Sequence, residues 1–124
     1  MKASHHILAS ILFVLPFMAF GQNVAIDAAI NKGSGADLSA YLADKVDLSI
    51  LDQDASLSAA ETVKSLSAFF SQNTVKGYKR AHLTPATNGR SSYSLGDLTT
   101  STGAYRVYLY YDAKQKISEI RIEK

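Results

Sequence analysis

The chain contains no cysteine and no tryptophan, and its only two methionines, Met1 and Met18, stand near the amino terminus. Without a thiol there is no lipid-modified cysteine and no thiolate ligand for zinc or an iron–sulfur cluster. Histidine is almost as scarce: His5 and His6 lie at the start of the chain, and His82 is alone in the remainder. One imidazole with no thiol argues against a zinc or haem centre, so no cofactor or metal is expected. Carboxylates could still hold calcium, but Asp52-Gln53-Asp54 lacks the spaced ligands and closing Glu of an EF-hand loop and reads as a turn. Excess charge is lacking as well. A net charge of +2 gives no reason to expect nucleic acid or an anionic membrane as partner.

No apolar run is long enough to span a bilayer. The stretch from Ile7 to Phe20 is uncharged and rich in Leu, Ile, Phe and Ala, yet it is shorter than the ~20 residues a spanning helix needs. Lys2 precedes it, and Ala19-Phe20-Gly21 closes it with small residues at the −3 and −1 positions of a cut after Gly21. That arrangement reads as a secretory signal peptide over residues 1–21, followed by a single domain over residues 22–124. The mature product is expected to be exported to the periplasm or beyond, with no membrane span after signal removal.

Helical spacing comes first in the mature chain. Ile26, Ala29 and Ile30 share one side of a helix from Val24 to Lys32, stopped by Gly33-Ser34-Gly35. Leu38, Tyr41 and Leu42 place an apolar stripe on a second short helix, Asp37 to Ala43. Val46, Leu48 and Ile50 then alternate with Asp47 and Ser49, as in a half-buried strand. Ser58 and Glu61 have the spacing of a capping box, opening a helix whose stripe is Ala59, Val63, Leu66 and Phe70 with Phe69 beside it, and Asn73 is its expected left-handed terminator. From Val75 the period changes to two, giving strands at Lys76 to Thr84, Ser92 to Thr100, Ala104 to Tyr111 and Lys116 to Glu123. The order α-α-β-α-β-β-β-β predicts an α+β domain with helices on one face of a curved antiparallel sheet.

Tight turns at Asn88-Gly89 and Thr102-Gly103 would set the hairpin parity. Pairing around the second puts Leu98 opposite Val107, Gly96 opposite Leu109 and Asp97 opposite Tyr108. The aliphatic face, with Ala81, Leu83, Leu98, Tyr105, Val107, Leu109, Ile120 and Ile122, is assigned to the core. Lys79 sits awkwardly on that face. The opposite face gathers Arg80, His82, Tyr93, Leu95, Asp97, Arg106, Tyr108 and Tyr110, with Asp97 between Arg80 and Tyr108.

Tyr93-Ser94-Leu95-Gly96, Thr100, Gly103, Tyr105-Arg106-Val107-Tyr108 and Ile120-Arg121-Ile122-Glu123 together resemble a family of small exported Bacteroidota proteins known only as a domain of unknown function. Its fold is similar to nuclear transport factor two and the cystatin-like cone. The resemblance covers most of the mature chain and implies a cone; it supplies no activity or catalytic residue. Where the family's strand histidine is followed two residues later by Gly, His82 is followed by Thr84 and Pro85. Related cones include ketosteroid-isomerase-like and dehydratase-like enzymes, which would use His82, Asp97 or tyrosines in a cavity. In the pairing above, His82 and Asp97 face away from the helices, and no catalytic triad, phosphate loop or metal motif compensates.

Tyr and Arg are enriched in protein interfaces, so Arg80, His82, Tyr93, Asp97, Arg106, Tyr108 and Tyr110 form a candidate interface for a homodimer or a protein partner. The bland alternative is that tyrosine simply suits exposed strands. For His82 a structural hydrogen bond is set against a pH-sensitive contact at such an interface. A small apolar ligand could instead occupy a cavity lined by Tyr41, Leu66, Phe69, Phe70, Tyr105 and Leu109, unless those side chains merely fill the core.

Overall fold

Ile26, Ala29 and Ile30 are buried on one side of α1, Met18–Asn31, which ends where Gly33 takes the positive φ (+68°) that glycine tolerates. The computed structural model describes residues 18–85 and 92–124. The expected cleavage point after Gly21 falls within α1, and most of the expected leader lies outside the described residues, as does Asn88-Gly89. Ser34 caps the four-residue α2, Gly35–Leu38, and a 3-10 turn follows at Ser39–Tyr41. The expected helix over Asp37 to Ala43 therefore stops early: Leu42 already begins β1, Leu42–Ile50.

A strand that sequence reasoning missed comes next. β2, Gln53–Ser58, pairs antiparallel with β1 through a two-residue loop at Leu51-Asp52, with Leu51 at a φ of 55°. Only Asp52 of the expected Asp-Gln-Asp turn is in the turn. All six residues of β2 are exposed or half-buried, and that is why no hydrophobic period announced it.

Ser58 then caps α3, Ala59–Gln72, by the expected capping box: its Oγ accepts from the Glu61 N–H at 3.1 Å, and Glu61 Oε1 accepts from the Ser58 N–H at 2.9 Å. Such a cap is worth about 1 kcal/mol. Asn73 does not terminate α3 in the left-handed region, since its φ and ψ are −127° and 80°. Its amide works through hydrogen bonds instead, Nδ2 donating to the Phe69 carbonyl and Oδ1 accepting from the Thr102 and Tyr105 hydroxyls.

The remaining strands are β3, Val75–Thr84; β4, Tyr93–Thr100; β5, Gly103–Tyr111; and β6, Ile117–Glu123. The sheet order is β2-β1-β6-β5-β4-β3. The α+β class and the helices-then-sheet order hold, with one added strand. The sheet is mixed rather than wholly antiparallel, because β1 runs parallel to β6. The chain returns to β1's side only after crossing α3 and four strands, and a parallel neighbour requires such a long connection.

Register in the β4–β5 hairpin differs from the expected one while parity survives. The loop is Ser101-Thr102, one residue earlier than Thr102-Gly103, so Leu98 pairs with Tyr105, Gly96 with Val107 and Asp97 with Arg106. Moving a turn by one residue moves partners by two, and every side chain keeps its face. The Thr100 hydroxyl holds this loop, donating to the Gly103 carbonyl at 2.9 Å and accepting from the Thr102 N–H. Leu98, Tyr105, Val107, Leu109, Ile120 and Ile122 are accordingly buried, joined by Tyr111 and Ile117.

β3 breaks the rule. An extra residue, Ala81, separates the Arg80–Gly96 and His82–Leu95 pairs, and a second irregularity lies between Val75 and Gly77. A bulge reverses the alternation. Before it, Tyr78 and Arg80 face the helices while Lys79 pairs with Asp97 on the outer face, which removes the difficulty of a lysine in the core. Beyond it, His82 faces out and Leu83 shares the inner side with Ser94, though Leu83 is 43% exposed. Ala81 is exposed at the bulge and does not join the core.

Candidate functional site

Three cross-strand rows make up the outer face. Across β3, β4, β5 and β6, Lys79, Asp97, Arg106 and Glu123 stand side by side with alternating sign. The second row is His82, Leu95, Tyr108 and Arg121. In the third, Thr84, Tyr93, Tyr110 and Glu119 are neighbours, with the rings of Tyr93 and Tyr110 stacked at 5.5 Å and 26°. His82 lies 6.1 Å from Tyr93, and its Nε2 shares a 2.7 Å hydrogen bond with the Thr84 hydroxyl. Burial beside its neighbours, and then the Glu119 carboxylate, push the Tyr110 phenol above its ordinary value. Arg121 bridges to Glu119 at 3.5 Å and Glu123 at 3.2 Å, and its hydrogen bond to Glu123 raises its own pKa. This stacked tyrosine pair, half-buried and bordered by charges of both signs, places six of the seven expected interface residues together.

Arg80 is the seventh, and it lies on the other side of the sheet. The bulge at Ala81 turns it toward α1, where Nε and Nη2 form a fork on the Asp27 carboxylate, with contacts of 3.1, 3.2 and 2.8 Å. Nη2 also donates to the Asn23 carbonyl at 3.4 Å. Asp97 consequently sits between Lys79 and Arg106, not between Arg80 and Tyr108.

Asp27 escaped sequence reasoning, although a signal existed. Asp27 and Asn31 stand at i and i+4 on one stripe of α1, and both side chains reach β3, with Asn31 Oδ1 accepting from the Tyr78 N–H at 2.9 Å. A polar stripe on a helix that must pack announces a polar partner. Beside Arg80, the Tyr78 ring lies over Gly96 in the space a Cβ would occupy. Among the described residues, neither the Tyr78 hydroxyl nor Arg80 Nη1 has a hydrogen-bond partner, although both atoms are buried. Nearby, Ser94 and Tyr111 share a 3.2 Å hydroxyl–hydroxyl hydrogen bond.

Burial, and after it the Asp27 carboxylate, hold the Tyr78 phenol well above its ordinary value of 10. Because the folded value exceeds the unfolded one, this stabilisation is complete below pH 10 and is lost as pH rises beyond it. Alkaline unfolding followed by far-UV circular dichroism is therefore expected to begin above pH 10, and Tyr78→Phe should flatten the decline. An equally steep decline in the Phe variant would refute the assignment.

The residues expected to line a cavity are packed as core. Leu66, Phe69, Phe70, Tyr105 and Leu109 are buried in one cluster with Tyr41 against it, and Phe69 meets Phe70 and Tyr105 edge-on at 5.8 and 5.5 Å. His82 and Asp97 stand on the outer face, away from that interior. Among the described residues no group of three or more histidine and carboxylate side chains gathers as a metal site, and no helix is long and apolar enough to cross a membrane.

Residues 23–123 match a family model described as a domain of unknown function (DUF4783). A DUF4783 family protein from Bacteroides fragilis is 34% identical, with a TM-score of 0.74 over 82% of this chain and 96% of that one. At 9% identity, a cystatin-like-fold protein of Silicibacter pomeroyi superposes with a TM-score of 0.59 over 81% of this chain and 70% of its own. An NTF2-like protein of unknown function from Exiguobacterium reaches 0.51 at 14% identity, over 70% of this chain and 79% of that one. These last two share the fold. No curated protein matches the chain.

Proposed function

We propose that this chain, which belongs to the DUF4783 family, is an exported, non-catalytic interaction domain that self-associates through the outer face of its sheet. The observation that carries the proposal is the Tyr93–Tyr110 stack with Leu95 and Tyr108 beside it, an aromatic patch on a face that no other element of the described fold covers. Aromatic side chains at the centre of a patch and charges at its border match the anatomy of protein interfaces.

A second copy is the favoured partner because the charge row is complementary to itself. A two-fold contact brings the same patch together from both subunits, so a row of one sign would repel its copy. Lys79, Asp97, Arg106 and Glu123 alternate, and each cation can meet an anion of the other subunit. Export rests on the Lys2 start, the uncharged stretch to Phe20 and the small residues before the proposed cut. His82 and Asp97 lie on this outer face, away from the packed interior between helices and sheet, which argues against proton transfer inside a cone.

Tyr108→Lys is expected to convert the dimer to monomer, weakening association by at least about 2 kcal/mol, the cost of losing a central aromatic side chain. Sedimentation velocity at high micromolar concentration checks it, with far-UV circular dichroism unchanged. Wild-type protein that sediments as a monomer there would overturn the proposal.

A further inference from the structure

We propose that β2 is a docking edge for an extended peptide segment in which apolar and basic residues alternate. The two edges of the sheet differ in how they are protected. β3 carries two bulges, Lys76 and Lys79, and Pro85 just past its end, devices that keep an edge from pairing. β2 has none: its pairing with β1 is continuous from Lys45–Ser58 to Ile50–Gln53, it contains no proline or lysine, and among the described elements it pairs with β1 alone.

The geometry says which backbone groups are free. A two-residue loop at Leu51-Asp52 makes Ile50 and Gln53 a hydrogen-bonded pair, so Asp54 and Ser56 belong to the alternate pairs and direct their N–H and C=O away from β1. Those groups are where an added strand would bond.

Each face beside this edge has its own chemistry. On the helix-facing side, a groove of about 390 Å³ between β2 and α3 is lined by Ile50, Ala55, Leu57, Ala68 and Phe69, with polar residues at its rim. Ser65 and Ala68 are small, and this keeps α3 from closing over it. On the outer side, a hollow of about 360 Å³ is bordered by Asp47, Asp54 and Glu119, with Arg121 the sole cation lining it among the described residues. Arg121 is already bridged to Glu119 and Glu123.

A strand laid on β2 alternates its side chains between these two faces. Apolar side chains would enter the groove against Leu57 and Phe69, and basic ones would meet Asp54 and Asp47. Backbone pairing with alternate-side-chain pockets is the recognition mode of strand addition. β2 is separated from the Tyr93–Tyr110 pair by β1 and β6, but Glu119 and Arg121 border both the hollow and the tyrosine rows, so peptide binding and self-association are read out separately, by anisotropy and by sedimentation.

The test is fluorescence anisotropy with two labelled, acetylated and amidated hexapeptides, one alternating lysine and valine, the other alternating glutamate and valine. The lysine peptide is expected to bind the protein at least about tenfold tighter. Ser56→Pro removes an outward N–H at a position where an edge strand tolerates proline, and it should abolish binding. Asp54→Lys, which leaves the backbone intact and guards against misfolding of the proline variant, should reverse the preference between the peptides. Equal binding of the two peptides, no binding at millimolar concentration, or undiminished binding by a folded Ser56→Pro protein would overturn the proposal. So would a Ser56→Pro protein that turns from dimer to monomer while the wild type binds neither peptide, because the edge would then belong to a second copy.

Discussion

Asp27→Ala is expected to destabilise the fold by about 3 kcal/mol, the lower end of what removing one partner of a buried ion pair costs. The lower end applies because the Asp27 side chain is 34% exposed while that of Arg80 is 14% exposed. Substitution strands the guanidinium on the inner side of β3, where Nη1 already lacks a partner among the described residues. It also releases α1 from the strand it packs on, since the fork on Asp27 accounts for three of the contacts between them. Urea denaturation reads the loss. Replacing both residues, as Asp27→Leu with Arg80→Met, should recover most of it, because an apolar pair of similar volume avoids the desolvation of two charges. A single variant within about 0.5 kcal/mol of wild type, the ordinary range of surface substitutions, would show the pair to be a surface ornament.

Gly96→Ala should cost about 2–3 kcal/mol, an amount typical of overpacking. The added methyl would overlap the Tyr78 ring, and the ring has little room to yield because its hydroxyl is already buried. Tyr78→Ala in the same chain removes the obstacle, so the double variant should be less destabilised than the two single losses predict. A coupling above about 1 kcal/mol in that cycle is the expected result. Strict additivity would mean that the contact is not what requires glycine. The pairing explains why a strand tolerates a residue that weakens strands elsewhere: Gly96 is the place where a neighbouring ring crosses the backbone.

The outer-face candidates were legible wherever alternation is unbroken. Tyr93, Asp97, Arg106, Tyr108 and Tyr110 fall where parity puts them, even though the β4–β5 register is shifted by two residues. Arg80 was misplaced because a bulge inserts a residue without leaving a mark on local composition. Ala81 is an ordinary strand residue in an ordinary strand context, and only its pairing with β4 reveals that it is extra. β2 escaped for a different reason. An exposed edge strand buries little on either face, and its polar, small residues carry no period to read.

Local chemistry by itself determined much of this protein. Ser58 and Glu61 cap a helix through bonds three residues apart, Gly33 supplies a backbone conformation its neighbours resist, and alternation on β5, and on β6 from Ile120 onward, selects the buried face. The α+β class follows from these short-range preferences, because they depend only on residues close in sequence. Tertiary structure alone decided the rest: the parallel pairing of β1 with β6, the bulge that turns Arg80 inward, and its meeting with Asp27. Those contacts join residues on separate elements of the chain, and their energy depends on which backbone lies alongside, a quantity that no local pattern encodes.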